Sequence, residues 1–313
     1  MRPAILFFAA LLFVNTTMAR SLVLVVGAPG APEYVEKFSK CATLWKEVAA
    51  KGGLETTVIG QDKDRPDDDR QRLLTALTNE MARPEGELWL VFIGHGTFDG
   101  RTANFNLRGP DISAADLAST LRSCSRPLVV IECASASGPF LTALSATNRV
   151  IITATRSGYE VNATRFGEYM AQAIADPAAD LDKDGQTSLL EAFLAASREV
   201  AQSYREQGRL MTEHSLLDDN GDKLGTPADW FQGVRAVKTA VGGKSVDGVR
   251  AHQIFLVPNN VELELSPEVR ARRDELEQKM SVLRLNKAKM NEDDYYRQLE
   301  GILVEMARLY ETK

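Results

Sequence analysis

From Leu22 onward the chain alternates short, almost uninterrupted runs of β-branched and other apolar residues with longer stretches of helical periodicity. Runs without a polar face predict strands buried on both sides. Their alternation with helices predicts an α/β fold: a doubly wound, mainly parallel sheet with helices on both faces. The strands are expected at residues 22–26, 55–59, 88–93, 128–132 and 149–153, with helices at 34–50, 70–81, 113–121 and 140–144 between them. Ser113-Ala114-Ala115-Asp116 sets a capping serine three residues before an acid, a helix-start signal.

Beyond Thr153 the pattern shifts to helices at 166–175 and 189–204, an Asp- and Gly-rich loop, and a further strand at 253–257. Ser266-Pro267-Glu268 then supplies an N-cap, an N1 proline and a first-turn acid. A second helix is expected from Asn291-Glu292-Asp293-Asp294, along which Tyr295, Leu299, Ile302, Met306 and Leu309 form a narrow apolar seam of the coiled-coil kind. Residues 263–313 are therefore expected to form an antiparallel helical hairpin. It either packs on itself and on an α/β domain spanning 20–262, or serves to bind a protein partner or a second copy.

With 313 residues, 44% hydrophobic and 26% charged, the chain can bury a sizeable core. A formal charge of -6 argues against a sequence-independent nucleic-acid binder, which needs a basic face. Met1-Arg2-Pro3, an apolar run over 4–14 and small residues at Thr17 and Ala19 read as a signal peptide over 1–19. The run is too short to span a bilayer and no other segment comes close, so a secreted or periplasmic protein without a membrane span is expected. Three cysteines, Cys41, Cys124 and Cys133, are an odd number for an oxidising compartment, so at least one thiol stays free or pairs between chains; whether Cys41 and Cys124 pair is left open.

Two expected strands run straight into reactive side chains: Leu88-Trp89-Leu90-Val91-Phe92-Ile93 into Gly94-His95-Gly96, and Leu128-Val129-Val130-Ile131-Glu132 into Cys133. If these strands are neighbours, a thiol and an imidazole reach the same edge of the sheet, where amide cleavage needs a nucleophile beside a proton donor. A strand ending in His-Gly followed by one ending in Cys resembles the caspase, legumain and gingipain clan of cysteine peptidases, most nearly its legumain-like bacterial branch, and the resemblance spans about residues 22–175. It implies a caspase-like fold, His95 as general acid/base, Cys133 as nucleophile, Gly96 as an oxyanion-hole contributor, and a peptide or protein substrate. Two positions depart from the clan's pattern: Glu132 stands where an alanine is usual, and in Cys133-Ala134-Ser135-Ala136-Ser137-Gly138 the glycine comes late. Asp99 and Arg156, just past strand ends, point to opposite substrate charges.

Residues 180–191, Asp-Leu-Asp-Lys-Asp-Gly-Gln-Thr-Ser-Leu-Leu-Glu, fit the twelve-residue EF-hand loop. Asp180, Asp182 and Asp184 stand at positions 1, 3 and 5, and Gly185 at the sharp turn. Gln186 is placed to give its carbonyl, Ser188 stands at position 9, and Glu191 at position 12 offers bidentate capture of Ca2+. A lone loop of this kind suggests a structural calcium site. Asp218-Asp219-Asn220-Gly221-Asp222 has turn composition and is a weaker candidate for further ligands. Gly27-Ala28-Pro29-Gly30-Ala31-Pro32 lacks the spacing and lysine of a nucleotide-binding turn, and Asn162-Ala163-Thr164 is a sequon.

Overall fold

The computed structural model describes residues 20–62, 68–83, 86–243 and 245–311, so the expected signal peptide over 1–19 lies outside the described residues. The first half of the chain runs β1 (Ser21–Val26), α1 (Pro32–Lys51), β2 (Glu55–Ile59), α2 (Asp69–Met81), β3 (Leu88–Ile93), β4 (Gly96–Phe98), β5 (Ala103–Phe105), β6 (Ile112–Ser113), α3 (Ala114–Thr120), β7 (Leu128–Glu132), α4 (Gly138–Leu144) and β8 (Arg149–Thr153). It continues with α5 (Phe166–Ala173), α6 (Leu189–Glu206), β9 (Leu216–Asp218), β10 (Thr226–Pro227), β11 (Phe231–Gln232), β12 (Arg235–Ala236), α7 (Val249–His252), α8 (Asn260–Glu264), α9 (Pro267–Leu285) and α10 (Glu292–Glu311).

Seven strands form the main sheet in the order β10-β9-β8-β7-β3-β1-β2. The five on the β2 side pair in parallel, while β9 and β10 close the other edge antiparallel. The apolar runs read as continuous because alternate residues face two separate cores. Leu22, Leu24, Trp89, Val91, Val129 and Ile131 pack under α1, α5 and α6. Val23, Val25, Leu90, Phe92 and Val130 pack under α2, α3 and α4 on the opposite face. α3 begins with the expected capping box, Ser113 Oγ accepting from the Asp116 amide at 3.0 Å. The edge of the sheet away from the candidate site is pinned by buried Arg126, which donates to Glu80 Oε2 (2.7 Å), the Gly86 carbonyl (2.9 Å) and Ser21 Oγ (3.1 Å).

The strand expected at 253–257 does not form. Phe255 makes a single antiparallel bridge to Ser188, next to a hydrogen bond from the Leu189 amide to the Ile254 carbonyl (2.8 Å). The carbonyls of Phe255 and Leu256 are taken up by the Arg20 guanidinium rather than by a neighbouring strand. The apolar residues of this stretch serve the core instead, with Ala251, Ile254 and Leu256 buried in the layer that holds α6. A small antiparallel sheet, β4-β5-β6, was not expected; it starts at the residue following His95.

α9 and α10 pack against each other as the expected antiparallel hairpin, joined by the Arg272–Glu305 ion pair near the open end. Tyr295, at the head of the seam, is buried, and Lys287 lies 5.0 Å from its ring centre. The hairpin meets the rest of the chain through α7, Gln253 donating to the Asp274 carbonyl (3.0 Å) and to Glu277 (2.8 Å). Among the described residues no helix is long and apolar enough to cross a membrane.

Candidate active site

β3 and β7 are direct neighbours in parallel register, with Phe92 opposite Glu132. His95 and Cys133 therefore leave the same edge side by side, and both line one cavity of about 590 Å³ together with residues of α1, α5 and α6. His95 sits between Tyr34 and Phe38, whose rings lie 4.3 and 5.1 Å from the imidazole, centre to centre. Its Nε2 is 3.2 Å from the Pro29 carbonyl. A carbonyl can only accept, so this contact places the proton on Nε2 and leaves Nδ1 as the basic nitrogen. Burial lowers the imidazole pKa and so favours the neutral ring, opposed by the bond to Pro29.

Cys133 is only 4% exposed. Its sulfur points to the α1–α5 side, where a Cβ placed on Gly167 would stand 3.2 Å from Cys133 Sγ and 4.0 Å from Cys41 Sγ. Cys41 itself donates to the Gly167 carbonyl at 3.3 Å. Burial pushes the Cys133 thiol well above the usual thiol range, with the charges of Cys41, Glu132 and Glu213 adding in the same direction. The Cys41 thiol is likewise pushed up to about 12 by burial. All three cysteines are unpaired.

Glu132 faces away from the thiol, as alternation along a strand requires, into the core under α4. It is fully buried; one oxygen accepts from the Ala134 amide at 3.0 Å and the other has no hydrogen-bond partner among the described residues. Burial pushes its carboxyl up to about 8, the Ala134 bond opposing, so it is protonated at neutral pH.

The amide of Gly96 donates to Ser135 Oγ (3.2 Å), and that hydroxyl donates back to the Gly96 carbonyl (3.0 Å). The amide of Cys133 donates to the Phe92 carbonyl (3.0 Å). The Gly96 amide, which the clan resemblance assigns to an oxyanion hole, and the Cys133 amide beside it are thus both engaged within the protein. Glycine at 96 has a steric cause here, since a Cβ would come within 2.2 Å of the Ser135 carbonyl oxygen. The loop after Cys133 takes its left-handed residue at Ala136 (φ 56°) rather than at a glycine.

Neither Asp99 nor Arg156 lines the His95–Cys133 cavity. Asp99 accepts the amides of Arg101 and Thr102, which lower its pKa, and Arg156 pairs with Glu160 at 3.2 Å beside a separate cavity of about 880 Å³. The sequon residue Asn162 does line the His95–Cys133 cavity. Pro29, Tyr34, Phe38, Ser135 and Gly167 complete the surroundings of the pair and were not singled out from the sequence. The turn at residues 27–32 offered the one available signal, since it leaves β1 beside the exit of β3.

In the loop over 180–191, Asp180, Asp182 and Asp184 bring carboxylate oxygens within 4.8 Å of one another, and carboxylate oxygens of Asp182 and Glu191 lie equally close to each other and to a ring nitrogen of His252. Asp180 accepts the amides of Lys183 (2.6 Å) and Gly185 (3.1 Å), and Gly185 turns left-handed at φ 88°. Glu191, almost fully buried, accepts from the Leu181 amide (2.7 Å) and the Ser188 amide (2.8 Å) and forms a capping box with Ser188 at the start of α6. Gln186 turns its side chain to the Asn259 amide (3.0 Å), leaving its backbone carbonyl as the expected donor. His252, from α7, reaches Asp182 Oδ2 at 3.0 Å and was not anticipated. Clustered carboxylate oxygens around a left-handed glycine are a donor set suited to a hard cation. Burial raises the Asp184 pKa, with the hydrogen bonds from Gln186 opposing and the charges of Asp182 and Glu191 adding.

The stretch 218–222 is a turn whose carboxylates are occupied by the backbone. Asp218 accepts from the amides of Gly221 (2.9 Å) and Lys223 (3.0 Å), and buried Asp219 accepts those of Gly248 (3.0 Å) and Ala251 (2.8 Å) at the start of α7.

No protein-family model matches the chain, and no curated protein sequence matches it. Among solved structures the chain is similar to caspase-1 from Spodoptera frugiperda at 11% identity and a TM-score of 0.45, over 64% of this chain and 87% of that one. It is similar to the Drosophila initiator caspase Dronc at 14% identity and a TM-score of 0.45, over 65% and 82%. A protein from Geobacter sulfurreducens aligns at 12% identity and a TM-score of 0.42, over 58% and 89%.

Proposed function

We propose that the chain is an exported cysteine endopeptidase of the caspase and legumain type, nearest the legumain-like bacterial branch, working through Cys133 and His95 and stabilised by Ca2+. The observation that carries this reading is the convergence of the two side chains, from the exits of paired parallel strands, on a single cavity. Hydrogen bonding supports the roles: Pro29 holds Nε2, and among the described residues nothing bonds Nδ1, which is therefore free to take the thiol proton. The sulfur then attacks the peptide carbonyl carbon, and the C–N bond breaks as His95 returns the proton to the departing amine. Water hydrolyses the thioester with the same imidazole as base. Charge on the carbonyl oxygen would be met by the amides of Gly96 and Cys133 once Ser135 and Phe92 release them.

Asp180, Asp182, Asp184, Glu191 and the Gln186 carbonyl would hold the calcium ion, which would neutralise the gathered carboxylates and tie the approach from α5 to the start of α6. The test is hydrolysis of a fluorogenic peptide set with calcium present. Turnover in the wild type that is lost in Cys133→Ala and in His95→Ala supports the peptidase.

A second reading is favoured by the engaged amides of Gly96 and Cys133: a catalytically silent module of the same fold that binds calcium and meets a protein partner or a second copy through the C-terminal hairpin, where Leu303, Val304 and Tyr310 are exposed. Absence of turnover and of thiol-directed labelling at every calcium concentration would select it.

A further inference from the structure

The cover over Cys133 is fastened at the start of α5 by a buried carboxylate. α5 starts directly on the thiol, Gly167 being its second residue, yet its N-cap, Arg165, has no side-chain cap of its own. The free amides at this end are satisfied from another part of the chain. Glu213, 2% exposed, accepts from the Arg165 amide at 2.9 and 3.0 Å and from the Phe166 amide at 3.1 Å. A carboxylate at a helix N-terminus both fills unmet donors and meets the positive end of the helix dipole.

The same short strap grips the other side of the nucleophile. His214 bonds Glu160 through its amide (3.2 Å) and its Nδ1 (2.5 Å), and the Glu160 carbonyl accepts from the Ala136 amide (2.8 Å) in the loop that follows Cys133. The Arg165 side chain adds a second tie, donating to Ser203 Oγ (2.9 Å) and Gln207 Oε1 (2.7 Å) at the end of α6 and lying 4.5 Å from the centre of the Tyr204 ring.

We propose that Glu213 is a positioning residue for the Cys133 site: its carboxylate holds the first turn of α5 down on the thiol, and releasing it opens Cys133 further to the cavity that it lines. This rests on the reading of Cys133 as the nucleophile, but its test does not use turnover. Cys133 is only 4% exposed where it lines the cavity, so the strength of the Glu213 contact sets how often α5 lifts to uncover the sulfur further.

The experiment is the rate of iodoacetamide alkylation, resolved cysteine by cysteine by peptide mass, in the folded full chain. Glu213→Gln replaces a charged acceptor with a neutral one and is expected to speed alkylation of Cys133 about tenfold, the effect of weakening charge-assisted bonds by roughly 1.4 kcal/mol. Cys124 is the internal control, because it packs against the opposite core under α3. Its rate should stay unchanged. Gln207→Ala, at an exposed residue, gives a milder variant that loosens only the Arg165 side chain and should raise the Cys133 rate by a smaller factor. Equal Cys133 rates in the wild type and both variants overturn the proposal, as does a parallel rise at Cys124, which would mean general loosening of the fold.

Discussion

Glu132 is a carboxyl with no exposure and, among the described residues, one oxygen without a hydrogen-bond partner, which makes the stability of the protein depend on its proton. Its pKa is raised by burial from an ordinary 4.5 to about 8. A group raised in this way favours the folded state while protonated: the stability it contributes is full below about pH 4.5 and is lost as pH rises through about 8. At 1.36 kcal/mol per pH unit the displacement corresponds to about 5 kcal/mol as an upper value. Glu132→Gln keeps the shape and the acceptor for the Ala134 amide but cannot ionise. Urea unfolding of both proteins at pH 5, 7 and 9 should show similar stability at about pH 5 and an advantage for the variant that is already most of its full size at about pH 7, reaches several kcal/mol, and levels off above about pH 8. Asp247, also raised to about 8 by burial and by Asp219, contributes equally to both proteins and cancels in the comparison. Parallel stability curves across the whole range would refute the placement of a buried, uncompensated carboxyl at 132.

Three further outcomes follow from the packing and the loop. Arg126→Met should cost about 3–5 kcal/mol in a denaturant titration, because buried Glu80 loses its close cation and keeps only Arg83 at 3.6 Å, and a loss below about 1 kcal/mol would contradict the contact. Gly167→Ala puts a methyl 2.8 Å from Cys133 Cβ and should cost about 1–3 kcal/mol by overpacking, read as a lower melting midpoint; an unchanged midpoint speaks against close packing of α5 on the thiol. Calorimetric titration with Ca2+ should give saturable binding in the wild type and none in Glu191→Gln, whereas equal heats in the two would remove Glu191 from the ion's shell.

The central strands were legible because they are buried on both faces and so carry no polar interruption: 88–93 and 128–132 matched the structure to the residue. Helix starts were legible where capping chemistry is local, as at Ser113 and Ser266. The same apolar signal misled at 253–257, where burial of Ile254 and Leu256 comes from core packing and the backbone is satisfied by Arg20 instead of a strand partner. Placement of His95 and Cys133 at adjacent exits followed from strand neighbourhood. Their surroundings did not, because each decisive contact joins distant segments: Pro29 to His95, Gly96 to Ser135, Gly167 to Cys133, Glu213 to Arg165. Glu132 could be placed on the opposite face by strand alternation, but its lack of a partner depends on what lies across the core.

The most direct test of the account is the intact mass and modified site of the protein after incubation with a peptidyl acyloxymethyl ketone, in the presence of calcium, for the wild type, Cys133→Ala and His95→Ala. The account predicts one covalent adduct, located on Cys133, absent in both variants and never found on Cys41 or Cys124. No adduct in the wild type, or an adduct that persists in Cys133→Ala, would contradict it.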